Sequence, residues 1–167
     1  MSSTPLACHP HDHSHCVASA LAAAEAICTR QGARLTALRR RVLELVWQSH
    51  QPLGAYDILG VLNAEDGRRA APPTVYRALD FLLEHGLIHR LASLNAFTGC
   101  SHPGESHQGH FLLCRQCKTA IELCQPAISE AIRNAADALG FAVEGQMVEV
   151  VGLCSRCQSG AAHAGHA

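Results

Sequence analysis

At 167 residues the chain is long enough for one ordinary domain or two small ones. It is 48% hydrophobic and 16% charged with only seven aromatic residues, so its core must be mostly aliphatic, and its longest apolar stretch, Val17 to Cys28, is broken by Ser19 and Glu25 and is too polar to cross roughly 30 Å of hydrocarbon. The net charge of −1 hides a weak tilt, nine Lys/Arg to seven Asp/Glu over Val17–Leu91 and four to six over Ala92–Ala167, which permits nucleic-acid contact by the first half without indicating it.

Residues 1–16 have no apolar periodicity and read as a disordered tail rich in His9, His11, His13 and His15; residues 159–167 look similar. No basic, hydrophobic leader opens the chain, so a cytoplasmic location is expected. Ala18 to Gln31 predicts a helix stopped by Gly32. Thr36 is placed to cap a second helix, Ala37–Ser49, with Leu38, Val42, Leu45 and Val46 at helical spacing. A third helix is predicted over Ala55–Leu62, then a polar loop over 63–71. Pro72-Pro73 opens a fourth, where the missing proline N–H groups cost nothing. Val75, Leu79, Leu82 and Leu83 line its apolar face, and Gly86 ends it. Thr74, Tyr76 and Arg77 lie off that stripe. Leu87–Ala92 and Ala96–Thr98 read as two strands turning at Asn95. Helices followed by a hairpin are the order of a winged helix-turn-helix, spanning residues 17–98.

Residues 99–109 are rich in Gly, Ser, His and Pro and read as a hinge. Beyond it the order is strand (111–113), strand (120–123), helix (126–139) and a β-like run (141–151). These fifty or so residues are too few for a secure core without a staple or a partner. The staple is visible in the cysteines. Nine Cys cannot pair completely within one chain, and clustered Cys in a reducing compartment points to metal. Cys114-x-x-Cys117 and Cys154-x-x-Cys157 offer the four thiolates that structural zinc takes in a tetrahedron. The rival readings are a redox CxxC or two unrelated thiol pairs.

The run PPTVYRALDFLLE at 72–84, preceded by Arg34-Leu35-Thr36 and Ala55-Tyr56-Asp57 and followed by CRQC and GLCSRC, resembles the ferric uptake regulator superfamily, in detail its zinc uptake branch. The likeness covers about residues 17–158. It implies an α+β protein: a winged helix over 17–98, the 99–109 hinge, and a small α/β dimerisation domain over 110–158 with a structural zinc site of four cysteines. The resemblance further implies a homodimer binding palindromic double-stranded operator DNA. It implies two zinc ions per subunit, with no membrane and no small-molecule substrate. The implied regulatory zinc ligands are His89, Cys100, His107 and Glu122, with His102 and His110 as alternatives to His107. That N, S, N, O set suits zinc, and the thiolate disfavours an iron site of His and carboxylates. DNA contacts are expected from Tyr56, Thr74, Tyr76 and Arg77; Arg39, Arg40 and Arg41 are either phosphate contacts or a solvated face. An iron- or peroxide-sensing regulator is the alternative within the superfamily. A zinc-dependent enzyme is the alternative outside it, disfavoured because the chain has no HExxH and no phosphate-binding glycine loop.

Overall fold

The computed structural model describes residues 13–48, 51–66, 70–105 and 109–160. It is an α+β structure with two three-stranded sheets, each made by a different half of the sequence.

The first half contains α1 (His13–Arg30), α2 (Ala37–Trp47), β1 (Leu53–Gly54), α3 (Ala55–Asp66), α4 (Pro72–Glu84), β2 (Ile88–Leu91) and β3 (Ala96–Gly99). Thr36 caps α2 as expected, its hydroxyl accepting the Arg39 N–H at 3.4 Å. Apolar residues at helical spacing meet in one core: Ile27 from α1, Val42 and Val46 from α2, Ile58 from α3, Leu79 and Leu82 from α4. A buried leucine of this kind is worth about 2–5 kcal/mol against alanine. Gly86 ends α4 at φ 64°, a left-handed conformation that lets the Leu87 N–H reach the Leu82 carbonyl at 2.9 Å. The chain then enters β2, turns through Asn95 at φ 46°, and returns as β3. Gly99, the last residue of β3, lies against Trp47, and a Cβ there would collide with the indole.

Two expectations about these elements need correction, and two further features were not read from the sequence. The first helix starts at His13, so the last four residues of the segment read as a tail are helical, with Cys16 and Val17 half-buried; His9 and His11 lie outside the described residues. The third helix runs one turn longer, to Asp66, where Glu65 takes a two-pronged hydrogen bond from the Arg41 guanidinium. Strand β1 was not foreseen: two residues after a proline carry no period, yet Leu53 pairs with Phe97 and closes the sheet as β1-β3-β2. The arginines of α2 are committed within the molecule. Arg39 stacks over the Phe81 ring, Arg40 pairs with Glu25, and Arg41 pairs with Glu44 and Glu65.

The second half contains β4 (Gly109–Cys114), β5 (Ala120–Glu122), α5 (Pro126–Asp137), β6 (Met147–Gly152) and α6 (Ser155–Gln158). Its sheet runs β5-β4-β6, with β4 antiparallel to β5 and parallel to β6. The β-like run from Phe141 becomes a strand only at Met147, which pairs with Gly109, the first residue of β4. The buried cluster here is small, comprising Phe111, Leu113 and Ala120 joined by Leu91 of β2. Meanwhile Leu139, Phe141, Val150 and Val151 are 85%, 65%, 50% and 62% exposed.

Candidate metal centres and nucleic-acid interface

The two CxxC turns meet because β4 and β6 are parallel neighbours. Cys114 ends β4 opposite Gly152 of β6, and Cys154 follows two residues later. The four sulfurs of Cys114, Cys117, Cys154 and Cys157 lie within 4.8 Å of one another. Cys117 Sγ is 3.7 Å from Cys154 Sγ. A tetrahedron with zinc–sulfur bonds of about 2.3 Å has edges of about 3.8 Å, so the spacing fits. The Cys154 N–H donates to Cys114 Sγ at 3.4 Å. Burial alone would push the Cys114 thiol up, but the N–H groups of Cys154, Cys117 and Gln116 hold it at about 6. Cys157 goes the other way, to about 12, through burial and then the neighbouring sulfurs. The donor set fits a closed tetrahedral ion and leaves no open coordination position.

A second group forms where the two halves touch. His89 comes from β2, Cys100 from the residue after β3, and Glu122 from the end of β5. Their ligand atoms also lie within 4.8 Å of one another. His89 Nε2 is 2.9 Å from Glu122 Oε1, and the Ser101 N–H donates to Glu122 Oε2 at 2.8 Å. The Glu122 side chain is 3% exposed, so these partners are what make a buried carboxylate tolerable. The His89 ring stands edge-on to Phe111, centroids 5.2 Å apart. Cys100 is 1% exposed, and burial, then Glu122, push its thiol up to about 12. Imidazole, thiol and carboxylate on three segments form a mixed N, S, O set suited to zinc.

Among the described residues the group has three members. His107, the expected companion, lies outside the described residues. Of its alternatives, His110 is buried on β4 with Nε2 3.4 Å from Ser129 Oγ, and His102 sets Nδ1 3.1 Å from Cys124 Sγ. Neither joins the cluster. Cys124 had no role in the sequence reading. Nor did Gln51, whose Nε2 donates to the Cys117 carbonyl at 3.0 Å and ties the first half to the cysteine knuckle. Glu149 was missed as well, although a single charge in the apolar run 147–151 is a visible signal.

The residues expected to face DNA are all exposed. Val75, Leu79 and Leu82 bury one side of α4, leaving Thr74, Tyr76 and Arg77 exposed at its N-terminal end. Tyr56, at the start of α3, is 72% exposed and lines one cleft with Tyr76, Asp80, Arg90 and Asn95.

Comparison with known proteins agrees with this architecture. The chain is 38% identical over 138 residues to the zinc uptake regulation protein of Escherichia coli (strain K12), covering 82% of this chain and 80% of that one. Among solved structures, a zinc uptake regulator complexed with zinc and DNA superposes with a TM-score of 0.80 at 35% identity, covering 86% of this chain and 95% of that one. Holo XcZur superposes at 0.76 and 42% identity, covering 84% and 98%. The sequence model of the ferric uptake regulator family matches residues 30–151, from the end of α1 into β6, and the chain belongs to that family.

Proposed function

We propose that the protein is a zinc-responsive transcriptional repressor. In this reading it binds palindromic operator DNA as a homodimer when its second metal site is filled, and it controls zinc-uptake genes from the cytoplasm. It carries two zinc ions per subunit: a structural ion at Cys114, Cys117, Cys154 and Cys157, and a regulatory ion at His89, Cys100, Glu122 and His107. The observation that carries the reading is the meeting of His89, Cys100 and Glu122 from β2, the end of β3 and β5. The zinc uptake regulators it resembles favour zinc as the sensed metal, and the thiol in the group points the same way.

A bound zinc supplies a cross-link between the reading half (17–98) and the pairing half (110–158). The chain's own residues supply the rest. β2 delivers His89, and the same strand continues into the wing. Holding β2 against the second sheet therefore sets where α4 stands. In a dimer, two copies of α4 must sit one helical turn of DNA apart, roughly 34–36 Å. Arg77 at the exposed end of α4 is suited to grip guanine O6 and N7. No helix among the described residues is long and apolar enough to cross a membrane. The outer edge of β6 has no strand partner among the described residues, and Leu139, Phe141, Val150 and Val151 stand exposed in the same half; these are the surfaces a second subunit is expected to cover.

The test is a mobility-shift titration of the full chain on a palindromic operator, with zinc and iron(II) compared. Zinc is expected to tighten binding about 5–150-fold, the range of ordinary allosteric coupling. Iron(II) is expected to leave it unchanged. Arg77→Ala is expected to keep both zinc ions and the dimer while weakening specific binding by about 1–3 kcal/mol. Binding indifferent to zinc chelation would overturn the reading.

A further inference from the structure

We propose that Glu149 is a positioning residue that latches the wing of the reading half onto the sheet of the pairing half and so holds His89 in register with its metal site. The inference rests on the functional reading above and assigns a part to a residue outside both cysteine and metal groups.

The geometry begins with sheet register. Glu122, Phe111 and Glu149 form one row across the sheet, since Phe111 pairs with Glu122 on β5 and with Glu149 on β6. Residues paired in this way on neighbouring strands share a face. All three point at β2 and its turn. Glu122 meets His89, and the Phe111 ring lies against the His89 ring. Glu149 meets the turn: the Ala92 N–H donates to its Oε1 at 2.6 Å and the Ser93 N–H to its Oε2 at 3.1 Å. Leu91, fully buried between these two attachments, joins the Phe111 cluster.

The spacing is consistent. The two glutamates are two strands apart, about 9.6 Å at about 4.8 Å per strand. Three residues of extended chain, His89 to Ala92, cover about 10 Å at about 3.3 Å per residue. β2 therefore crosses the row with a carboxylate at each end of its span. One attachment fixes a point and leaves the strand free to swivel about it. Two fix a direction.

The Glu149 end is built to take a carboxylate. Two successive backbone N–H groups converge on its two oxygens, an arrangement that favours an anion. Burial opposes the charge, but the Ser93 hydroxyl and the N–H groups of Ala92 and Ser93 hold the carboxyl below its ordinary range. Nothing in this contact needs a metal. It raises the share of molecules in which His89 already faces Cys100 and Glu122, and a ligand that binds only that arrangement gains affinity in proportion.

The test uses the full-length protein with its cysteine site zinc-loaded, as Glu149→Gln and Glu149→Ala, with the exposed Glu144→Gln as control. Two quantities are read: amide exchange at Ala92 and Ser93, and zinc affinity of the second site by chelator competition. In Glu149→Ala, both amides are expected to lose protection and zinc affinity to fall about fivefold or more. Glu149→Gln, which keeps the shape and one acceptor, is expected to fall in between, with dimer and cysteine-site zinc intact in both. Unchanged exchange at Ala92 and Ser93 in the isosteric Glu149→Gln and in Glu149→Ala would overturn the latch. So would lost protection with unchanged zinc affinity. A parent protein that binds no second zinc would instead overturn the functional reading, while the exchange data would still decide whether the latch exists.

Discussion

Replacing Cys154 by Ser is expected to remove the tightly held zinc and unfold or monomerise the second half of the chain. The second sheet buries a cluster of only four apolar residues, and one of them, Leu91, is borrowed from β2. Against that thin core, structural zinc in finger peptides is worth about 10–16 kcal/mol near neutral pH. The sulfurs also sit where they matter most. β4 and β6 pair in parallel, with α5 lying between them in sequence, and the two cysteine pairs clasp the ends of both strands. Such pairing incurs loop-closure entropy before any contact rewards it. Serine is smaller and a poor ligand, so one lost sulfur leaves three thiols and a weak site. Metal analysis should fall from two zinc ions per chain to one or none, the melting curve should lose its cooperative second-half transition, and sedimentation should report monomer. Cys114→Ser should behave alike. One retained zinc with an unchanged melt would refute the assignment.

Cys100→Ser is expected to do the opposite: keep the fold and the cysteine-site zinc, and bind operator alike with or without added zinc. Cys100 is buried and its N–H is satisfied by the Leu87 carbonyl at 3.1 Å, so the backbone has no reason to move. A serine hydroxyl fits the space, and burying it costs about 1–3 kcal/mol on the protein scale, which a core of the first half's size tolerates. What is lost is the soft ligand that distinguishes this site from a His and carboxylate set. The expected result is collapse of the whole zinc-dependent gain in operator affinity, about 5–150-fold, in a mobility-shift titration. By linkage, operator DNA should then fail to tighten zinc binding in the variant while doing so in the parent. A variant that still responds fully to zinc would show that the switch lies elsewhere.

Much of this architecture is legible in the residues, for reasons that differ from element to element. The α4 stripe of Val75, Leu79 and Leu82 is a local pattern, and the structure buries those residues. The CxxC pairs declare themselves by spacing, although only the parallel register of β4 and β6 explains why two turns so far apart meet. The second metal group is different. His89, Cys100 and Glu122 show no mutual period, and a family resemblance was needed to choose them. Partners set by the packing of distant segments could not be read at all. Arg39 stacks on Phe81, Gln51 reaches Cys117, and Glu149 holds Ala92 and Ser93. Each contact joins segments whose approach depends on the finished fold.

The position of Trp47 gives the molecule an optical gauge. It is the only tryptophan in the chain, and it packs against Gly99, the residue that hands β3 over to Cys100. Indole emission shifts with the polarity and motion of its surroundings, and here those surroundings are the backbone leading into the second metal site. Filling or emptying that site in the unlabelled native protein should therefore register as a change in intrinsic fluorescence from a single, unambiguous emitter.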